Sequence, residues 1–72
     1  MLHSSTFEYL KPTEDQLNTM AGMRKDFADF TARVDANLPD GPDKTYILRK
    51  LREVAMWANI TITRNADGSP RS

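Results

Sequence analysis

The sequence contains no cysteine, a single histidine and a single tryptophan. Without cysteine there is no disulfide scaffold and no thiolate metal site. One histidine, His3, builds no metal site alone, and no serine is expected to partner it as a nucleophile. There is no glycine-rich phosphate loop and no metal-ligand spacing. No apolar run reaches the length that spans a bilayer. The start of the chain lacks a basic segment followed by an apolar stretch, so no signal peptide is expected. An excess of one charge is also missing: ten acidic residues balance ten basic ones. That argues against sequence-independent DNA binding, which leans on a basic surplus.

These absences leave a small intracellular chain with few ways to stabilise itself. Seventy-two residues make one domain, which buries a smaller share of its surface than a larger one. Natural domains below roughly 70–80 residues add disulfides, a metal or self-association. Only self-association remains open here. Charge is unevenly spread, with seven acids and four bases in residues 1–40 against three acids and six bases in 41–72. The halves attract each other, although exposed pairs contribute little each.

The first dozen residues, MLHSSTFEYLKP, favour extended or irregular backbone through Phe7, Tyr9 and Pro12. Thr13-Glu-Asp-Gln16 then reads as a capping box. Met20, Met23, Phe27, Phe30 and Val34 follow in steps of three and four, a helical stripe. The spacing predicts a first helix over 14–37. Leu38-Pro39-Asp40-Gly41-Pro42 breaks it, and Pro42 suits the first turn of the next. A second helix is expected over 42–64, with 65–72 as a flexible tail. The predicted fold is all-α: an antiparallel two-helix hairpin, 1–72, with an extended or short-helical segment over 1–12, assembled as a homo-oligomer.

The oligomer follows from the second helix. Ile47, Leu48, Leu51, Val54, Ala55, Ala58 and Ile62 share one face and are expected to meet the first helix. The other side carries Met56, Trp57 and Ile60. A helix apolar on two sides must be covered on two sides, whereas a hairpin has one inside. Trp57 is therefore expected to pack against another copy of the chain. The alternative covers it from within one protomer, by Phe7 or Leu10.

Acid pairs such as Glu14–Asp15 and Asp26–Asp29 read as solvated charge, so no catalytic residue is assigned. A binding constellation remains. Tyr9 is an aromatic outside the helical core. Arg24 and Lys25 are adjacent cations midway along helix one, and Arg64 ends helix two. An aromatic ring stacks on a base, and the planar fork of arginine grips phosphate. Each residue has a plainer reading. Tyr9 serves as packing, Arg24 and Lys25 pair with Asp29 or Glu14, and Arg64 favours a helix C-terminus.

Several pieces, kept in order, resemble a known family. Phe7-Glu8-Tyr9 with Pro12, Arg24 fifteen residues after that tyrosine, the Pro39-Asp40 turn, and Met56-Trp57-Ala58-Asn59 with Ile62 and Arg64 resemble the phage anti-CBASS protein 2 family. The resemblance covers residues 7–64, and the Met-Trp-Ala-Asn piece is its most specific part. It implies a sponge that sequesters cyclic oligonucleotide second messengers of bacterial immunity without cleaving them. It implies a homohexamer, with a cyclic dinucleotide between two protomers, Tyr9 on a base and Arg24 on phosphate, with Lys25 beside it. It also implies a second site for cyclic trinucleotides, for which Arg64 matches the arginine involved. Asp26 lies near that second site and would repel phosphate. Ile60-Thr61-Ile62-Thr63 is bulkier than the family version. No cofactor, DNA or membrane partner is implied, and the expected location is the cytoplasm of the infected bacterial host.

Two other classes compete. A helical-hairpin interaction module would dock a host protein through the Trp57 face and ignore small molecules. An enzyme degrading the same signals would return altered ligand.

Overall fold

The computed structural model describes residues 1–71. Two helices account for most of them: α1, Glu14–Asn37, and α2, Pro42–Thr63, folded back on each other. α1 begins where Thr13 caps it. The Gln16 amide N–H donates to Thr13 Oγ1 at 3.1 Å, and Thr13 N–H donates to Gln16 Oε1 at 2.9 Å. Glu14 and Asp15 place negative charge at the positive end of the helix dipole. α2 begins on Gly41 with Pro42 as its first residue. The pyrrolidine has no N–H to lose there, and its fixed φ suits a helix start.

The seam between the helices is narrower than the apolar stripes suggest. Val34 is the one hydrophobic residue exposed by less than a tenth, and no side chain is fully buried among the described residues. Met20, Phe27 and Thr31 of α1 and Leu48, Leu51, Ala55, Ala58 and Ile62 of α2 are half-covered, and Phe27 and Thr31 share a surface cleft with Leu48, Leu51 and Ala55. Phe30 is half exposed, as is Val54, although both belong to the stripes expected to meet. Two helices touch along a line, so stripe positions at its flanks stay uncovered unless a third element packs there.

Dimensions confirm a single layer. The chain measures 44 × 27 × 15 Å with a radius of gyration of 15.0 Å. A rounded chain of this length would have a radius near 11 Å. Its accessible surface is 5937 Å², against about 4,500 Å² for an ordinary folded monomer of the same mass.

Both helix C-termini are closed by cations from elsewhere in the chain. The last carbonyls of a helix have no intrahelical partner. For α1, Lys44 Nζ donates to the Asp35 carbonyl oxygen at 2.7 Å and to the Asp40 carboxylate at 2.8 Å. For α2, Arg71 Nε donates to the Thr61 carbonyl oxygen at 2.9 Å, while its Nη2 donates to that of Arg64 at 3.0 Å. Gln16 Nε2 donates to the Ile62 carbonyl oxygen at 3.2 Å, so the partner of Thr13 in the capping box of α1 also closes the end of α2.

The chain after α2 differs from the expected flexible tail. Residues 65–71 form a small hook that turns back on the helix end. Gly68 N–H donates to the Asn65 carbonyl oxygen, Asn65 N–H to that of Ser69, and Arg71 N–H to that of Thr63. Arg64 and Pro70 pair across the turn. Asp67 braces it, accepting from the Ser69 N–H at 2.9 Å and the Ser69 hydroxyl at 2.7 Å. These bonds hold its carboxyl below the usual carboxylate range. The hook has no apolar anchor because its tethers are polar. Ser72 lies outside the described residues.

The first segment runs as two overlapping turns: Thr6 N–H donates to the His3 carbonyl oxygen and Glu8 N–H to that of Ser5. It lies against the hook, where His3 N–H meets the Asp67 carbonyl oxygen.

Candidate ligand-binding site

Tyr9 follows the turns of the first segment and is 86% exposed. Packing therefore does not account for its ring within one protomer. The segment that carries it is nonetheless held, since the Arg64 guanidinium donates to the Glu8 carbonyl oxygen next to it in sequence.

Arg24 and Lys25 are adjacent in α1 but stand in different surroundings. Arg24 lines a small cleft of about 80 Å³ between the helices, with Met23, Phe27, Ala55 and Asn59. Lys25 Nζ lies 3.4 Å from Asp29 Oδ2, with both side chains largely in water. The plainer reading, pairing with Asp29, thus describes Lys25. A pair that exposed holds neither partner tightly.

Tyr9 is not among the residues that line the Arg24 cleft. The segment before Tyr9 reaches α2 at Arg64, whereas Arg24 reaches it at Asn59 and Ala55. Five residues of helix between Asn59 and Arg64 correspond to roughly 7–8 Å of axis.

Arg64 is deeply engaged. Its Nη1 donates to the carbonyl oxygens of Ser5 at 2.8 Å and Gly68 at 2.6 Å, and its Nη2 donates to that of Glu8. The sequence alone offers a phosphate contact or a helix-dipole cation for this residue. In the single chain three of its five N–H donors tie together the first segment, the end of α2 and the hook.

Met56 and Trp57 are each about 60% exposed, and Ile60 and Val54 lie exposed beside them. Phe7 is 93% exposed and does not cover the indole, and with Leu10 half-covered the ring is still 60% exposed in the single chain. Trp57 and Ile60 also line an open groove of about 290 Å³ with Thr61, Arg64 and Arg71. The apolar face ends beside the hook.

His3 corrects the expectation that no serine partners the histidine. Its Nδ1 lies 2.8 Å from Ser5 Oγ and accepts the Ser5 N–H at 3.1 Å. Both contacts are local to the turn, and Ser5 is buried. The hydroxyl is a structural part of the turn rather than a surface nucleophile. Among the described residues no group of three His, Cys, Asp or Glu side chains could hold a metal ion. No helix there is long and apolar enough to cross a membrane.

This arrangement, a bare helical hairpin with an aromatic on a tethered first segment, can be compared with known proteins. The model of the Acb2/Tad1 hairpin domain matches residues 3–63. The chain belongs to the Acb2/Tad1 hairpin family. No curated protein and no solved structure matches it. Membership supports the resemblance to the anti-CBASS protein 2 family and fits an anti-CBASS role. The family is a small all-helical hairpin and not a known enzyme family. The match ends at the last residue of α2, so Arg64 and the hook lie beyond it.

Proposed function

We propose that this protein is a sponge for cyclic oligonucleotides, acting in the cytoplasm of an infected bacterium to starve an immune effector of its signal. The observation that carries the reading is the family match over residues 3–63, which spans Tyr9, Arg24, Lys25 and the Trp57 face. Copies of the chain cover the face formed by Met56, Trp57 and Ile60 and build a homohexamer. Its surface excess supports that assembly: the protomer exposes about 1,400 Å² more than a rounded chain of its mass. A standard interface removes about 800 Å² from each partner.

A cyclic dinucleotide binds between two protomers. Tyr9 of one chain stacks on a base, which every base accepts through its π-face. Arg24 of the neighbouring chain brings a planar fork to a phosphate, and the Lys25 charge adds to the local positive field. The exposure of the Tyr9 ring, which meets little of its own chain, supports a site completed by a neighbouring chain. Cyclic trinucleotides would need Arg64, whose fork is committed to three carbonyl oxygens. Sequestration makes and breaks no bond. Ligand held between chains adds its binding energy to the assembly by mass action.

Titration calorimetry with a panel of cyclic di- and trinucleotides tests the reading, followed by denaturation and analysis of what is released. Uptake of a dinucleotide and its recovery unchanged is the expected result. No heat with any member of the panel rejects the sponge, and altered ligand rejects sequestration.

A further inference from the structure

Arg64 carries five N–H donors, as every guanidinium does. Three of its contacts go to backbone carbonyl oxygens: Ser5 and Glu8 of the first segment, and Gly68 of the hook. These acceptors lie 59, 56 and 4 residues away in sequence. Arg64 is the side chain that joins the first segment to the far end of α2. A fork bonded at three points fixes direction as well as distance, which a point charge does not.

The hook aims the fork. Arg71 closes the carbonyl oxygen of Arg64 itself, and the pairing of Arg64 with Pro70 holds its backbone extended. Gly68 adopts φ +89, a conformation that side chains rarely take. A Cβ at Gly68 would drive into the Thr6 side chain, so the glycine lets the hook sit flush on the first segment. The bond to the Glu8 carbonyl lies in the peptide that links Glu8 to Tyr9. Holding that peptide restricts the backbone that carries the exposed ring.

We infer that Arg64 is the positioning residue for Tyr9: clasped by the carbonyls of Ser5, Glu8 and Gly68, it sets the aromatic ring in place for a base. This rests on the nucleotide reading above. Arg64 then acts on a cyclic dinucleotide through Tyr9, not by touching phosphate. A first segment left loose would have to be ordered at the moment of binding, which lowers affinity.

The test uses the intact chain, with cyclic di-AMP and cyclic GMP–AMP as probes, and two readouts. The first is hydrogen exchange at the amides of Thr6 and Glu8 in ligand-free protein, since both donate within the first segment. The second is the dissociation constant by calorimetry. Arg64→Lys keeps the charge and removes the fork. It is expected to speed exchange at both amides at least tenfold and to weaken the bound probe at least tenfold, with helix content unchanged. In a Tyr9→Ala background, Arg64→Lys is expected to cost no further affinity.

Unchanged exchange in Arg64→Lys overturns the clasp. Full additivity of the Arg64→Lys and Tyr9→Ala losses overturns the route through Tyr9 and makes Arg64 a direct contact. Gly68→Ala leaves the fork and the ring in place and is expected to repeat both effects. If Arg64→Lys fails to fold, Gly68→Ala decides in its stead, and unchanged exchange there overturns the clasp equally. Wild-type protein that takes up neither probe removes the dinucleotide role on which this inference rests, while the sponge itself is decided by the wider panel. The exchange arm then still decides whether Arg64 holds the segment.

Discussion

The ammonium of Lys44 lies 2.7 Å from the backbone carbonyl oxygen of Asp35, in the last turn of α1. Lys44 is the first buried cation after the turn, and it also meets the carboxylates of Asp40 at 2.8 Å and Asp35 at 3.2 Å. One side chain thus closes a helix end and ties the turn that reverses the chain. Replacing it with methionine keeps the stem and removes the charge. Lys44→Met is expected to lower Tm by several degrees in a thermal melt, with little change in helix content at 20 °C. An unchanged Tm would show that the turn holds itself.

The same contacts set a pH dependence. The hydrogen bond from Lys44, aided by its charge, holds the Asp40 carboxyl below its ordinary value. Bonds from the Ser69 hydroxyl and N–H do the same for Asp67. A carboxylate whose folded pKa is depressed stabilises the fold above its unfolded value, near pH 4, and loses that contribution as pH falls through the folded value. Lys44 is raised, chiefly by its bond to Asp40, so its contribution is complete below its ordinary pKa of 10.5 and is lost only as pH rises beyond it. Stability is therefore expected to be flat through neutral pH and to fall below about pH 4. Melts from pH 7 to pH 2 check this, and Asp40→Asn is expected to blunt the acid slope.

Tyr9 and Arg24 give a binding prediction. Stacking on an aromatic ring is worth about 1–3 kcal/mol per base. Tyr9→Ala is expected to weaken a cyclic dinucleotide about tenfold or more. Its Tm should not move, because the ring is almost wholly in water. Arg24→Ala is expected to cost a similar amount by removing charge-assisted bonds to phosphate. Lys25→Ala should cost less, since its ammonium is a point charge largely in water and brings no planar fork to phosphate. Equal losses at Arg24 and Lys25 in calorimetry would contradict this order.

The Trp57 face gives an assembly prediction. Buried aromatic anchors at interfaces cost about 2 kcal/mol or more when removed. Trp57→Asp adds an unpaired charge to the same contact. It is expected to convert the assembly to single chains in analytical ultracentrifugation and to reduce nucleotide uptake with it. A variant that stays assembled would move the interface elsewhere.

Much of the hairpin is legible in the sequence because its signals are local. Thr13 and Gln16 announce the start of α1 through a four-residue pattern, and Pro39, Gly41 and Pro42 announce the turn. Leu48, Leu51 and Ala55 share a face through helical period alone. The remainder depends on polar contacts between distant segments. Arg64 reads as a helix-end cation and Arg71 carries no signal of its own, yet their forks collect carbonyl oxygens brought together only by folding. The Ala66-Asp67-Gly68-Ser69 run carries a turn signal that could have revealed the hook. Nothing in the sequence marks Lys44 as buried, because burial of a charge depends on acceptors supplied by a neighbouring helix end. Phe30 and Val54 miss the seam because periodicity marks a face without stating how much of it one partner covers.

Native mass spectrometry with and without a cyclic dinucleotide tests the central claim most directly, since it counts chains and ligands together. A shared-site sponge predicts six chains that gain discrete ligand masses, each ligand leaving unaltered when the assembly is dissociated. A single-chain species that carries no ligand at micromolar concentration would contradict it.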